Sequence, residues 1–191
     1  IGDVSGKGVP ASLFMAITRS LFRTLSQHVI SPAKIVTEMN NSISDNNESN
    51  MFVTLIVGIL DLETGILKLC NAGHNPPILI YPDGQVSYLE FKTQIFVGVV
   101  EDFKYSDEEV VLEKESKLFL YTDGVTEAEN INKELYGEEK LLEMLSDNAS
   151  SDVRTTVNVV VDSIASHVKE AEASDDLTIL LIQYEPGTAN S

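Results

Sequence analysis

The sequence has few of the residues that disulfide bonding or nucleic-acid binding would require. It contains a single cysteine, Cys70, which excludes an intrachain disulfide and a cysteine-based metal cluster. Thirteen lysine and arginine residues stand against 30 aspartate and glutamate residues, which gives a formal net charge of −17. Such a charge repels nucleic acid and anionic lipid heads, so we expect neither as a partner.

Long hydrophobic runs are also lacking. The longest uncharged apolar run, residues 51–60, is about half the length that a membrane-spanning helix needs. No basic segment followed by an apolar one opens the sequence. We therefore predict no membrane span and a cytoplasmic location. With 191 residues, 43% of them hydrophobic, the chain is long enough to bury one core, so we predict a single domain over residues 1–184 and a frayed tail over 185–191.

The hydrophobic periodicity predicts helices at both ends of the chain and strands between them. Helical spacing predicts helices over 10–27, 32–43, 137–147 and 152–169. Alternating patterns predict strands over 51–61, 66–72, 77–81, 86–89, 107–113, 117–122 and 177–182. The last strand is apolar on both faces, which predicts a place inside a sheet. This order is typical of an α+β layered fold with antiparallel sheets.

The opening segment, IGDVSGKGVPASLF, places glycines and a lysine between a short strand and a helix. A nucleotide-binding P-loop would need four residues between its first glycine and the Gly-Lys pair, followed by Ser or Thr. Here three residues separate Gly2 from Gly6, and Gly8 occupies the position of the hydroxyl residue. The spacing therefore disfavours a nucleotide P-loop.

Three acidic positions lie beside apolar strand segments, and they suggest a metal site. Asp3 belongs to the first strand, Asp123 follows the strand at 117–122, and Asp175 and Asp176 precede the last strand. Mg²⁺ and Mn²⁺ prefer carboxylate oxygens, and one carboxylate rarely holds them alone. Asp-Gly is also a common turn dipeptide, and a chain with 30 acids contains such pairs by chance. Spacing alone leaves both interpretations open.

Four segments carry a resemblance to a known family: GDVSGKGVPASLFMA (2–16), NAGHNPP (71–77), LYTDGVTEAEN (120–130) and SDDLTILLI (174–182). In this order they resemble the motifs of the metal-dependent Ser/Thr protein phosphatases of the PPM, or type 2C, class, in their bacterial SpoIIE/RsbU-like branch. The resemblance implies an α-β-β-α sandwich of two antiparallel sheets flanked by helices. It also implies a binuclear Mn²⁺ or Mg²⁺ centre that activates a water for attack on a phosphoryl group.

The resemblance implies a role for each acidic position. Asp3 corresponds to the carboxylate that bridges both metals, and the backbone carbonyl of Val4 to a second ligand. Asp123 corresponds to the acid of the family's Asp-Gly motif. Asp175 corresponds to the acid of the last motif, which leaves Asp176 beside the ligands rather than among them.

Five further residues of the matching motifs are weaker candidates. Gly6 and Gly8 either let the backbone approach the site closely or form a strand-to-helix turn. Lys7 either contacts phosphate or is solvated. His74 either donates a proton to the leaving group or is a turn histidine. Gly124 accompanies Asp123 in the Asp-Gly motif.

The resemblance also implies partners. The expected substrate is phosphoserine or phosphothreonine on an anti-anti-sigma-factor-like protein in bacterial partner-switching and stress signalling. An upstream sensor or regulatory domain and a homodimer are expected by analogy. The family's first strand, whose acid helps bind the second metal, would lie before residue 1, so we expect an N-terminally incomplete domain. The alternative hypothesis is a phosphatase-like binding or regulatory module without turnover.

Overall fold

The structure is a computed structural model, and it describes residues 1–45, 47, 50–171 and 175–186. The chain forms two compact units. The first unit contains Ile1–His74 and Phe91–Val111, and the second contains Asn75–Glu90 and the chain from Leu112 onward. A single domain over 1–184 with a tail after it stays a prediction, and residues 187–191 lie outside the described ones.

The helices and strands follow the predicted order. The elements are β1 (Gly2–Val4), α1 (Val9–Leu25), α2 (Pro32–Ser44), β2 (Val53–Leu60), β3 (Ile66–Ala72), β4 (Ile78–Ile80), β5 (Val86–Tyr88), β6 (Glu108–Val111), β7 (Lys117–Tyr121), α3 (Glu138–Asp147), α4 (Val153–Val168) and β8 (Ile179–Gln183). The predicted α+β class, with two antiparallel sheets flanked by helices, is confirmed. The hairpin turns predicted between β2 and β3 and between β4 and β5 are also confirmed.

The first unit is a four-stranded antiparallel sheet in the order β1-β2-β3-β6, with α1 and α2 packed against it. Helix α2 begins where Ser31 caps it, since the Ser31 hydroxyl accepts a hydrogen bond from the Lys34 amide at 3.3 Å. That hydroxyl in turn donates to Asp107 at 2.7 Å. The core between α2 and the sheet contains Val36, Met39 and Cys70, all fully buried. This packing fixes the sheet on which β1 lies.

The second unit is a four-stranded antiparallel sheet in the order β5-β4-β7-β8, with α3 and α4 packed against it. All five residues of β7 are buried. Its first residue, Lys117, donates from Nζ to the carbonyls of Ala149 and Ser151, and burial lowers the pKa of this lysine. Helix α4 begins at an N-cap, Asp152, whose side chain accepts hydrogen bonds from the Arg154 and Thr155 amides.

The prediction that the last strand lies inside a sheet was wrong. Among the described residues β8 pairs with β7 alone, at the edge of its sheet. One face is buried through Leu181, whereas Leu180 and Ile182 are 45% and 39% exposed. The apolar run therefore reflects a half-exposed apolar face rather than a central position. Strands β6 and β7, although adjacent in sequence, also belong to different sheets.

The single cysteine, Cys70, is fully buried. Burial raises the pKa of its thiol to about 12, so it behaves as a small hydrophobic residue. Within the ranges that the structure describes, no helix combines the length and apolar character needed to cross a bilayer.

Candidate functional site

Asp3 lies in the middle of β1, a three-residue strand paired with β2. The Ile56 amide donates to the Ile1 carbonyl, and the Ser5 amide donates to the Phe52 carbonyl, so residues 1, 3 and 5 direct their backbone groups toward β2. By the alternation of an antiparallel ladder, the Val4 carbonyl is directed away from β2. A ligand pair made of the Asp3 carboxylate and the Val4 carbonyl stays a prediction.

The loop between β1 and α1 is built on two glycines with positive φ. Gly6 has φ +82° and Gly8, the residue before α1, has φ +77°. A Cβ added at either glycine would meet no described atom within 4 Å. Their positive φ therefore supports the turn explanation, and a close approach to a bound phosphate stays a prediction. Lys7 is exposed between them.

His74 lies in the first unit, next to Thr54, which pairs with Asp3 in the sheet. Thr54 lies opposite Asp3 in the β1–β2 ladder. The Thr54 hydroxyl is 2.8 Å from Nδ1 of His74, and it donates to the Asp3 carbonyl at 3.4 Å. The side chain of Asn71 accepts from the His74 amide at 2.8 Å and donates to its carbonyl at 3.0 Å. His74 is therefore tied to a threonine hydroxyl through its ring and to an asparagine side chain through its backbone.

Asp123 lies in a tight turn directly after β7. Its carbonyl accepts hydrogen bonds from the Glu127 amide at 2.8 Å and from the Thr126 hydroxyl at 3.3 Å. Burial raises the pKa of Tyr121, the last residue of β7, so its hydroxyl stays protonated. Asp123 itself is half-buried, whereas Gly124, Val125 and Thr126 are buried. The acid is thus presented at the end of a buried strand.

The turn at Asp123 is joined to the segment that carries Asp175. Thr122 donates from its hydroxyl to the Asp176 carbonyl at 3.3 Å and accepts from the Thr178 amide at 3.1 Å. A Cβ added to Gly124 would lie only 2.3 Å from the Asp176 carbonyl oxygen, so only glycine allows this approach. The two segments that carry predicted acid ligands of the second unit therefore pack directly against each other.

Asp175 and Asp176 are both exposed. The Asp175 carboxylate accepts a hydrogen bond from the Asp176 amide at 2.9 Å, and this bond turns the chain before β8. Asp176 contacts the neighbouring turn through its backbone carbonyl. That Asp175 is the ligand and that Asp176 lies beside the ligands stays a prediction.

The donor set fits a hard divalent cation. Asp3, Val4, Asp123 and Asp175 supply carboxylate and carbonyl oxygens, the ligands that Mg²⁺ and Mn²⁺ prefer. Among the residues that the structure describes, no group of three or more His, Cys, Asp or Glu side chains could hold a metal ion. The chemistry of the donors and the close packing at Gly124 support a metal site, and its complete ligand set stays a prediction.

Sequence reasoning missed the side chains that hold these acids in place. Thr54, Asn71 and Thr122 are polar residues inside predicted strands, and such residues normally alternate toward solvent. Asn71 and Thr122 are both 3% exposed. Their burial is visible only in the structure, because a strand pattern does not show which polar residue faces inward.

One groove of the first unit has none of these acids in its lining. It has a volume of about 420 Å³ and lies between α1 and α2. Its lining is mainly apolar and includes Val9, Leu13 and Ile17, all exposed residues of α1. Among the described residues, no titratable side chain lines it.

Comparison with solved structures identifies the fold as that of type 2C phosphatase domains. The SiaA-PP2C domain of Pseudomonas aeruginosa matches with a TM-score of 0.82 at 23% identity, over 96% of this chain and 74% of that chain. The RsbU and RsbW domains of Rv1364c from Mycobacterium tuberculosis match with a TM-score of 0.80 at 24% identity, over 98% of this chain and 51% of that chain. At such identities the likeness shows the fold alone.

The family model for stage II sporulation protein E (SpoIIE) matches residues 1–185, and the chain belongs to this family. It is also 26% identical to the phosphoserine phosphatase RsbU of Bacillus subtilis, over 96% of this chain and 54% of that protein. Protein IcfG of Synechocystis is 26% identical over 95% of this chain and 33% of its own length. The chain thus spans a third to about half the length of these relatives.

Proposed function

We propose that this chain catalyses metal-dependent hydrolysis of phosphoserine or phosphothreonine on a partner protein. Membership of the SpoIIE family and similarity to a phosphoserine phosphatase support the reaction class. The observation that carries the proposal is the contact at Gly124, because it joins the turn of Asp123 to the segment of Asp175. A resemblance of four ordered motifs suggests an anti-anti-sigma-factor-like protein as the partner.

In this proposal the chain's own residues hold the ions and orient the substrate. Asp3, Asp123 and Asp175 bind through carboxylates and Val4 through its carbonyl. Bound Mn²⁺ or Mg²⁺ would supply a water of lowered pKa and would neutralise charge on the phosphoryl oxygens. A chain of net charge −17 repels a phosphorylated protein on its own, so cation binding also explains how an acidic surface accepts the substrate.

The first test compares ligand and control substitutions in hydrolysis of a phosphoserine peptide with Mn²⁺ and with EDTA. Asp3→Asn and Asp123→Asn should each lower kcat/KM by about 1,000-fold, because a metal supplies several kcal/mol of transition-state stabilisation. Asp102→Asn and Asp147→Asn are matched controls. Both positions are exposed, and asparagine tolerates the positive φ of residue 102.

Full activity of Asp3→Asn or of Asp123→Asn would overturn the proposal, as would activity that EDTA leaves unchanged. Binding of Mn²⁺ and of the phosphopeptide without turnover by the wild type would instead support the binding-module hypothesis. An anomalous-scattering map of crystals grown with Mn²⁺ would identify the ligands directly. In that map, Mn²⁺ should lie within bonding distance of a carboxylate oxygen of each of Asp3, Asp123 and Asp175.

A further inference from the structure

The Thr54 hydroxyl connects Asp3 to His74. Thr54 faces Asp3 across the β1–β2 ladder, with its oxygen 3.4 Å from the Asp3 carbonyl and 2.8 Å from His74 Nδ1. A hydroxyl has one hydrogen to donate. If that hydrogen is donated to the Asp3 carbonyl, the oxygen must accept a hydrogen from Nδ1. The shorter contact then holds the hydroxyl in position, and the longer contact transmits that position to the backbone of Asp3.

The backbone of His74 is held firmly, and its side chain is buried. Asn71 binds both the amide and the carbonyl of His74, and Asn71 and His74 are each 3% exposed. Between them Gly73 has φ +77°, and a Cβ there would overlap the ring of Phe96. A left-handed glycine and an asparagine clamp therefore fix the backbone from which the imidazole projects. A buried ring on a fixed backbone is suited to positioning a neighbour rather than to carrying a proton to solvent-borne substrate.

Strand β1 needs such support. It has three residues, all half-buried, and within the described residues it pairs with β2 alone. Besides the ladder, its backbone is held through Ser5, whose hydroxyl accepts from the Phe52 amide at 2.9 Å. Metal ligands must be held to within about 0.5 Å, and their supporting partners typically change metal affinity by about 10-fold to 100-fold.

We propose that Thr54 and His74 are positioning residues that fix the backbone of Asp3 through the chain of contacts Asn71, His74, Thr54 and Asp3. This inference rests on the proposed function, because it takes Asp3 to be a metal ligand. It assigns His74 neither a proton transfer nor a metal bond. Its direct consequence is that Nδ1 of His74 carries a hydrogen and donates it to Thr54.

The first experiment detects the hydrogen on Nδ1 of His74 and requires no metal. The chain has three histidines, so ¹⁵N-histidine labelling of the full chain gives three ring systems, which His28→Gln and His167→Gln assign. In the wild type, His74 should show a protonated Nδ1. In Thr54→Val this Nδ1 signal should shift, and the Asp3 amide should exchange with solvent faster. An unprotonated Nδ1 in the wild type, or unchanged exchange in Thr54→Val, would overturn the inference.

The second experiment measures Mn²⁺ affinity by calorimetry and separates KM from kcat. Thr54→Val should weaken Mn²⁺ binding by about 10-fold and leave the KM for phosphopeptide unchanged. Thr54→Ser keeps the hydroxyl and should restore wild-type affinity. His74→Asn keeps an N–H group close to the position of Nδ1 and should bind Mn²⁺ better than His74→Leu. A purely structural role would instead lower the melting temperature of all four variants without this ranking.

Asp3→Asn distinguishes the inference from the function on which it rests. If Asp3→Asn weakens Mn²⁺ binding and Thr54→Val does not, the positioning role is wrong and the proposed function stands. If Asp3→Asn leaves Mn²⁺ binding unchanged, the proposed function fails. If both weaken binding and Thr54→Ser restores it, both are supported.

Discussion

The two units present their acids in different ways. Asp123 follows β7, which is buried along its whole length and lies between β4 and β8. Its turn is held by three neighbours, Thr122, Thr126 and Glu127. Asp3 lies on β1, a short half-buried strand that pairs with β2 alone in the described residues. In the described residues, the strand before Asp123 has a partner strand on each side, whereas the strand of Asp3 has one on a single side.

This difference indicates where each acid is sensitive to substitution. In the second unit the weak point is steric, because the segments of Asp123 and Asp175 meet at a glycine with no room for a methyl group. In the first unit the weak point is polar, because the Thr54 hydroxyl donates a hydrogen bond to the Asp3 carbonyl and the Ser5 hydroxyl accepts one from the Phe52 amide. Substitutions that add volume should therefore act mainly in the second unit, and those that remove a hydroxyl mainly in the first.

Gly124→Ala should have the largest effect. Its Cβ would lie 2.3 Å from the Asp176 carbonyl oxygen, which is backbone and has to move. Overpacking of this kind costs about 1–3 kcal/mol of unfolding free energy. The displacement also separates the two acid-bearing segments, so phosphopeptide hydrolysis should fall by about 100-fold. Chemical denaturation and steady-state kinetics with saturating Mn²⁺ measure the two effects.

Gly6→Ala is the matched control in the first unit. Its φ is +82°, but a Cβ there meets no described atom within 4 Å. The change should therefore cost only the strain of a left-handed alanine, about 1–2 kcal/mol. Its activity should remain well above that of Gly124→Ala. Equal losses of activity for the two variants would contradict the steric distinction between the units.

Thr122→Val should have an intermediate effect on stability. It removes a hydroxyl that accepts a hydrogen bond from the Thr178 amide and donates one to the Asp176 carbonyl. Thr122 is only 3% exposed. Leaving buried partners unsatisfied costs about 1–3 kcal/mol, which urea denaturation would detect. Ser5→Ala removes one hydrogen bond at the more exposed β1 and should cost less, about 1 kcal/mol. A larger loss for Ser5→Ala would reverse the comparison.

The smallest effect is a pH dependence at the start of α4. The Thr155 hydroxyl and amide hold the pKa of the Asp152 carboxyl below its usual value of 3.8. A carboxyl whose folded pKa is depressed stabilises the fold above its unfolded pKa, and this stabilisation is lost as the pH falls through the folded pKa. Asp152→Asn removes the titration. The stability difference between wild type and this variant should shrink as the pH falls from about 5 to about 2. A difference that is independent of pH would contradict the assignment.

The elements of the fold were predictable because each carries a local signal. Helix α4 is an example: helical spacing predicts a helix over 152–169, and the structure has one at Val153–Val168. The position of β8 was not predictable, because an apolar run of residues contains no information on how many neighbours the strand has. Whether such a strand lies at an edge depends on pairing with distant segments.

The candidate acids were predictable, and their supports were not. Asp3, Asp123 and Asp175 stand in motifs that resemble those of a known family. Thr54 and Thr122 became visible only in the structure, because a threonine in a strand is most often a surface residue. Their role depends on which carbonyl or ring nitrogen lies next to their hydroxyls. The pairing register of the strands determines those neighbours.

The interleaved course of the chain has a consequence for folding and for dissection. Each sheet is closed by a late strand: β6 returns to β3, and β8 joins β7 after two intervening helices. Neither unit is a continuous stretch, so an N-terminal fragment that ends at Val111 contains the whole first sheet but also β4 and β5, cut off from β7. Pairings of this long range fold slowly, in about milliseconds to seconds, and fragments expose unpaired edges that aggregate. Forms that end before β8 should therefore precipitate when expressed, and biochemical work should keep both late strands.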